Sequence, residues 1–224
     1  MSGSSAADLL GEGRAALDPR EPPEGALDAG FFQQPVLDLA KALVGCVLVH
    51  RAGGVVTGGR IVETEAYRGP LDLAAHSAGG RRTKRTEAMF GAPGHAYMFL
   101  LYGSSWAFNI VAGPVDEPHA VLVRALEATI GLDAMLARRS RSSPKILPGS
   151  RELTNGPGKL CQAMGLDRGA YGASCASAAL HLLPGPRGPV GRSARINIDY
   201  AGPWIDKPWR FYERGNAWVS VKPR

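Results

Sequence analysis

The sequence predicts an α+β fold, a single mixed domain in which a few helices pack on an antiparallel sheet. Several strand-like segments follow one another without an intervening helix, and this order favours antiparallel pairing through hairpins. The regular strand–helix alternation of a doubly wound parallel sheet is absent, and neither GxGxxG nor GxxxxGK[ST] occurs. With 224 residues and 45% hydrophobic content, the chain is long enough to bury one substantial core.

Apolar spacing and capping residues predict three helices. Four apolar residues at i, i+3, i+4 and i+7 predict an amphipathic helix over residues 36–43, and Gly45 suits its C-terminal end. A shorter helix is predicted over residues 130–136. A third is predicted to begin at Asn155, whose side chain can cap it, with Pro157 in its first turn.

Alternating or continuous apolar runs predict the strands. They lie at residues 46–50, 55–67, 96–102, 107–113, 119–127, 194–200, 208–214 and 217–221. The stretch 137–145 is basic and is followed by a predicted loop. The stretch 167–193, rich in Gly, Ala and Pro, carries no predicted element.

Charge is distributed unevenly along the chain. Residues 1–28 hold six acidic and two basic residues and little apolar content, which predicts a disordered acidic leader before a domain over residues 29–224. The rest of the chain holds 24 basic and 14 acidic residues, a net charge of +10. A body this basic favours a polyanionic partner, of which nucleic acid is the commonest, over charge that serves solubility alone.

The composition disfavours several other classes of function. The three cysteines form no CxxC pair and the five histidines form no HExxH, so neither a metal ion nor another cofactor is expected. No apolar run approaches the ~20 residues that a membrane span needs, and no secretory signal is present. We therefore expect a cytoplasmic protein without a membrane partner.

The stretch IVETEAY, residues 61–67, is the first candidate site. In a strand, Glu63, Glu65 and Tyr67 project to one face, which is either a solvated face or the wall of an acidic, aromatic pocket. Asn109 and Arg124 lie within apolar strands, where a buried amide or charge needs a partner. A carboxylate, aromatic rings, an amide and basic residues within one third of the chain fit an enzyme that acts on a nucleobase.

The same motifs resemble the alkyladenine (3-methyladenine) DNA glycosylase family. RIVETEAYRGPLDLAAHSAGG, AYMFLLYG, VLVRALE, NGPGKLCQAMG and KPWRFYERGNAWVSV carry the resemblance, in the same order from about residue 30 onward. It implies a curved, barrel-like antiparallel sheet and a monofunctional glycosylase of base-excision repair that acts as a monomer on double-stranded DNA. The substrates it implies are 3-methyladenine and 7-methylguanine, with hypoxanthine and ethenoadenine as further candidates. Nucleoid association would follow from DNA binding.

The resemblance implies roles for individual residues. Glu65 corresponds to the general base that activates a water, and Arg124 to the arginine that helps to hold this water. Tyr102 corresponds to the side chain that enters the duplex and fills the gap left by the extruded base.

Four further residues correspond to the pocket that receives this base. Tyr67, His76 and Phe99 are its walls. Asn109 corresponds to the residue that crowds the amino group of normal guanine.

Some features depart from the family pattern or stay open. Phe99 stands where relatives often have tyrosine, so a hydroxyl is lost, and Ser104 and Ser105 are smaller than the residues that commonly follow the intercalating side chain. Glu63 has no assigned role: it either supports Glu65 from behind or faces water. A non-catalytic nucleic-acid-binding module on the same fold is the alternative function.

Overall fold

The computed structural model describes residues 21–101 and 103–222 and has a mixed α+β fold, as predicted. Its helices are α1 (Val36–Leu43), α2 (Leu132–Ser140) and α3 (Pro157–Met164). Its strands are β1 (Val47–Ala52), β2 (Val55–Arg68), β3 (Ala96–Leu101), β4 (Ser105–Ala112), β5 (His119–Ile130), β6 (Leu180–Leu183), β7 (Val190–Ser193) and β8 (Arg210–Glu213).

The strands form one antiparallel sheet in the order β3-β4-β5-β2-β1-β6. Strand β8 pairs with β2 and with β7, so it adds a branch beside the main path. In the described residues β3 and β6 have no pairing that joins them to each other, so the sheet is open. The antiparallel sheet that the resemblance implies is therefore confirmed, but it is not closed into a barrel.

Strand β2 organises this sheet because its length gives it three partners. It pairs with β5 along most of its 14 residues, with β1 in its first half, and with β8 at Glu63–Glu65. Thr64 faces the helical layer, where its Oγ1 donates to the carbonyl of Ala40 in α1 (2.7 Å). Glu63 and Glu65 therefore point to the opposite face, as strand alternation predicts.

The helices pack on the core face of the sheet. The predicted apolar stripe of α1 is buried, and α3 packs against β4 and β5. All three cysteines of the chain, Cys46, Cys161 and Cys175, are free and buried. Burial raises the pKa of the thiols of Cys161 and Cys175, so these thiols stay protonated at neutral pH.

Helix α2 and helix α3 differ in detail from the prediction. Helix α2 was predicted to end at residue 136, but it continues to Ser140, into the basic stretch. The predicted cap of α3 is wrong: the N-cap is Gly156, which makes no side-chain bond, and the Oδ1 of Asn155 accepts from the Nζ of Lys159 (2.9 Å).

Two predicted strands are also wrong. Residues 194–200 and 217–221 are irregular, and β6 and β7 form instead within the unassigned stretch 167–193. In both irregular segments, backbone N–H groups donate to buried glutamates of β2 rather than to a neighbouring strand. Short polar-apolar alternation is therefore a weak strand signal where a buried carboxylate competes for the backbone.

Residues 1–20 of the predicted leader and Tyr102, the residue predicted to intercalate, lie outside the described residues. The disorder of the leader and the role of Tyr102 therefore stay predictions. Within residues 21–28, the N–H of Leu27 donates to the carbonyl of Leu182 (2.8 Å). Across the part of the chain that is described, none of the helices is both long and apolar enough to span a bilayer.

Candidate active site

A cavity of about 740 Å³ opens beside strands β2 to β5. Among its lining residues are five of the seven predicted site residues: Tyr67, His76, Phe99, Asn109 and Arg124. They come from positions up to 57 residues apart, so the fold gathers them. Glu65 lies directly behind this wall, and Tyr102 lies outside the described residues.

Glu65 is fully buried and accepts hydrogen bonds on both carboxylate oxygens. Its Oε2 accepts from the hydroxyl of Tyr67 (2.8 Å) and from Nη1 of Arg124 (3.3 Å). Its Oε1 accepts from the backbone N–H of Ile196 (2.8 Å). Since Tyr67 and Arg124 both line the cavity, this carboxylate is one hydrogen bond away from the space where a ligand would lie.

A β-bulge places Arg124 in this position. Val123 pairs with Thr64 and Ala125 pairs with Glu63, so Arg124 is the extra residue on β5. Bulges re-aim side chains and are common beside active sites. Burial opposes the charge of the guanidinium, but the carboxylates of Glu65 and Glu63 outweigh burial and raise the pKa of Arg124 above its usual value.

Glu63 does not face water. It is fully buried, and its Oε1 accepts from Nε of Arg124 (3.0 Å), Nε of Arg210 (2.7 Å) and the hydroxyl of Ser220 (2.9 Å). Its Oε2 accepts from the backbone N–H of Ser220 (2.6 Å). Of the two alternatives that the sequence left open, the geometry supports the one in which Glu63 sits behind the site.

Tyr67 is held between a carboxylate and a cation. Burial, and then the neighbouring carboxylate of Glu65, raise the pKa of its hydroxyl well above the usual value, so this group stays a hydrogen-bond donor. The guanidinium of Arg195 lies 4.8 Å from the centroid of the Tyr67 ring and donates to the carboxylate of Asp72 (2.9 Å). Asp72 in turn accepts from the backbone N–H of Ala74 (3.0 Å), which fixes the loop that carries His76.

His76 is a neutral ring at physiological pH. Burial, and then the charge of Arg85, lower its pKa to about 4. Nη2 of Arg85 donates to Nε2 of His76 (3.1 Å), so the proton of the neutral ring belongs on Nδ1, which lies 2.8 Å from the hydroxyl of Tyr97. The His76 ring also packs edge-on against Phe99, with 4.5 Å between centroids.

Asn109 sits at the floor of the cavity on β4. It pairs in register with Tyr97 of β3, and its Nδ2 donates to the carbonyl of Tyr97 (3.0 Å). This bond fixes the amide plane of a buried side chain, and thereby meets the requirement for a partner that the sequence raised for Asn109.

The opposite part of the cavity is polar and basic. It is lined by Ser104 and Ser105 at the β3–β4 hairpin and by Gly158 and Lys159 in the first turn of α3. Gly158 is required there because a Cβ would lie 2.8 Å from the Cβ of Ser105. Arg139, which is also buried, lines the same side.

Sequence reasoning missed several residues of this site. Tyr97 precedes Phe99 by two residues, so the alternation used for residues 63–67 would also have placed both rings on one face. Arg195 and Ile196 carried no comparable signal, because they reach Tyr67 and Glu65 from more than 120 residues away. Among the residues that the structure describes, no cluster of three His, Cys, Asp or Glu side chains could hold a metal ion.

Comparison with known proteins identifies the family. A family model described as methylpurine-DNA glycosylase (MPG) matches residues 30–217. Relatives from Bacillus cereus, Bacillus anthracis and Bacillus thuringiensis are each 45% identical over 199 residues, which cover 86% of this chain and 97% of the relative. All three carry the provisional name 3-methyladenine DNA glycosylase. The chain belongs to the methylpurine-DNA glycosylase family.

Family membership decides between the two functions that the sequence left open. The chain is a DNA glycosylase, a hydrolase of DNA repair that acts on alkylation damage, and its substrate is DNA. The alternative, a module that only binds nucleic acid, is not supported. The match also includes every predicted site residue.

Proposed function

We propose that the enzyme flips alkylated purines out of duplex DNA and hydrolyses their N-glycosidic bond with a water that Glu65 activates. The observation that carries the proposal is the contact of Glu65 with Tyr67 and Arg124, two residues that line one aromatic cavity. A base within a duplex is out of reach of such a cavity, so the nucleotide must leave the stack.

The cavity suits a planar, positively charged base. Its volume of about 740 Å³ lies in the range of ligand pockets and leaves room for a purine and its sugar. Tyr67, Phe99 and the neutral ring of His76 offer aromatic faces, which attract cations. We therefore propose 3-methyladenine and 7-methylguanine as the main substrates, since N3- and N7-alkylation makes a purine cationic.

The reaction needs few groups because the leaving base carries its own charge. The bond between C1′ and the purine nitrogen breaks, its electron pair goes to the base, and the water oxygen bonds to C1′. Glu65 takes the proton of the water, and its charge also stabilises positive charge on the sugar in the transition state. Arg124 holds the water beside Glu65. The products are a free base and an abasic site.

Neutral lesions make a harder demand on the same site. Hypoxanthine and ethenoadenine leave well only if they are protonated, and His76, whose pKa is about 4, does not supply a proton at neutral pH. We therefore expect cationic purines to be released faster than neutral ones. A panel of duplexes that differ only in the lesion measures this ranking.

Two further residues of the proposal, Tyr102 and Asn109, act on the DNA. Tyr102, which lies outside the described residues, fills the vacated stack, as the family resemblance implies. In the sequence it lies between β3 and β4, where Leu100 is exposed and Ser104 lines the cavity. Asn109 excludes normal guanine by crowding its amino group.

Since one chain supplies all these lining residues, the enzyme would act as a monomer, in the cytoplasm on nucleoid DNA.

The substitution Glu65→Gln tests the mechanism. Loss of the general base should lower the single-turnover rate of 7-methylguanine release by about 10² to 10⁴-fold, while binding to the lesion duplex stays close to that of the parent. Glu127→Gln is the matched control, because it makes the same chemical change on β5 at a residue that does not line the cavity. Release by Glu65→Gln at the parent rate would exclude Glu65 as the base.

A further inference from the structure

The carboxylate of Glu63 is surrounded by donors from three parts of the chain. Arg124 of β5, Arg210 of β8 and Ser220 of the C-terminal segment together supply four hydrogen bonds to its two oxygens. Glu63 is fully buried and does not line the cavity, and of its donors only Arg124 does, whereas all three donors to Glu65 line it. A buried carboxylate with four hydrogen bonds from three parts of the chain is fixed in place.

The two glutamates of β2 fix the plane of the Arg124 guanidinium. Nε of Arg124 donates to Glu63 and Nη1 donates to Glu65, so both ends of the rigid fork are held. A third, longer contact joins Nη2 to the hydroxyl of Ser220 (3.4 Å). Three of its five N–H groups are thus engaged in the described part of the chain, and two are left for a ligand or a water in the cavity.

We propose that Glu63 is the positioning residue for Arg124, and that the C-terminal segment 218–221 holds Glu63 in place. This inference rests on the proposed function for the reaction that it serves. Glu63 does not exchange a proton with the substrate. It sets the direction in which Arg124 presents its free N–H groups, and Glu65 performs the chemistry from the other end of the same guanidinium.

The C-terminal segment is connected to Glu63 directly through Ser220 and indirectly through Arg210. Nε of Arg210 donates to Glu63, and its Nη2 donates to the carbonyl of Val221. Ser220, next to Val221, returns two bonds to Glu63. These two residues follow the last position that the family model matches, residue 217. The C-terminal segment 218–221 therefore belongs to the support of the active site.

The substitution Glu63→Gln tests the positioning role. Both oxygens of Glu63 accept from donors, so either orientation of a glutamine amide turns an NH₂ group toward an N–H or a hydroxyl. We expect the single-turnover rate to fall by about 10- to 100-fold, with little change in the affinity for the lesion duplex. Glu63→Asp, which keeps the charge, should recover part of the rate.

Ser220→Ala is a milder variant in case Glu63→Gln does not fold. It removes one hydroxyl donor and leaves the backbone N–H, so we expect a loss of roughly three- to tenfold in the single-turnover rate. Ser177→Ala is its matched control. It makes the same chemical change at a hydroxyl that bonds to the backbone of Leu180, away from the cavity and from Glu63. Equal rates for Ser220→Ala and the parent would contradict the role of the segment.

A double-mutant cycle separates positioning from a general loss of structure. If Glu63 acts through Arg124, Glu63→Gln should slow the reaction in the parent and have no further effect in an Arg124→Ala background. The same factor in both backgrounds would overturn the proposal, because Glu63 would then act independently of Arg124.

The Nε–H signals of the arginines give a readout that does not depend on activity. In ¹⁵N-labelled protein, the Nε–H of Arg124 should exchange slowly in the parent and in Glu127→Gln, and quickly in Glu63→Gln. Suppose that the parent shows this protection and Glu63→Gln loses it, but the parent releases no base. The proposed reaction would then fail and the positioning contact would stand. If the parent released base but Arg124 Nε–H were unprotected, the positioning proposal would fail alone.

Discussion

Two ion networks join the same three strands, and of the two only one includes a residue that lines the cavity, Arg124. The Glu63 network consists of Glu63 on β2, Arg124 on β5, Arg210 on β8 and Ser220, with Glu65 as its link to the site. The Arg60 network consists of Arg60 on β2, Glu127 on β5, Glu213 on β8 and Asn216. The signs are reversed: one network has an acid on β2 between two arginines, and the other has an arginine between two acids.

The two networks differ in burial and in backbone geometry. The charged side chains of the Glu63 network are at most 9% exposed, whereas those of the Arg60 network are 10% to 33% exposed. Arg124 is the extra residue of a bulge, whereas Arg60 and Glu127 are partners in register. Residue types and strand membership therefore do not distinguish the network that reaches the cavity from the one that does not. The two differ in burial and in the bulge that turns Arg124 toward the cavity.

Replacing the arginine of each network by lysine gives the largest expected contrast. Lysine keeps the charge and loses the planar fork, so Arg124→Lys should lower the single-turnover rate of base release by about 10³-fold, at the upper end of what one lost donor costs. Arg60→Lys should leave the rate unchanged, because Arg60 bonds to Pro186, Glu213 and Glu127, none of which lines the cavity. A rate loss of similar size in both variants would remove the distinction between the networks.

Neutralising one acid of each network should separate their contributions to stability. Glu63→Gln leaves Arg210 and Arg124 short of a buried counter-charge and should lower the free energy of unfolding by about 3 kcal/mol. Glu127→Gln removes a charge whose side chain is a third exposed and should cost less than about 1 kcal/mol. Urea unfolding at pH 7 measures both values, and equal losses would mean that burial does not decide the difference.

The smallest expected effect is the pH dependence of the stability that Glu213 of the Arg60 network contributes. Burial favours the neutral form of Glu213, but hydrogen bonds from Arg60 and Asn216 outweigh burial and lower the pKa of its carboxyl below the usual 4.5. The stabilisation is therefore present above pH 4.5 and is lost as the pH falls through the lowered pKa of the folded state. Glu213→Gln should cost about 1 kcal/mol at pH 7, and this difference from the parent should shrink in unfolding experiments below pH 4.5. A difference that does not change with pH would point to packing instead.

The same contrast explains how much of the site could be predicted from the sequence. Alternation along β2 was enough to place Glu63 and Glu65 on one face, because this property depends on neighbouring residues alone. It could not decide which glutamate lies directly behind the cavity wall. That depends on Arg210 and Ser220, which lie about 150 residues further along the chain, and on a bulge in the partner strand that no local pattern announces.

The fold, too, could be predicted where the signal depends on neighbouring residues alone. Helix α1 and strands β1 to β5 were predicted, since each has a clear apolar period. The irregular segments 194–200 and 217–221 were predicted as strands because their alternation is real but short. In the folded chain, Ile196 and Ser220 donate their backbone N–H groups to glutamates of β2. Competition of this kind is a tertiary effect, so no reading of the segment alone could have found it.

The state of the cysteines has a consequence for the conditions in which such an enzyme works. Agents that alkylate DNA also alkylate thiolates, which are much stronger nucleophiles than thiols. All three cysteine sulfur atoms of this chain lie in the interior, and burial keeps those of Cys161 and Cys175 protonated. A protein that repairs alkylated DNA thus presents no exposed thiol to the reagent that creates its substrate, and we expect it to keep its activity while the damage is being made.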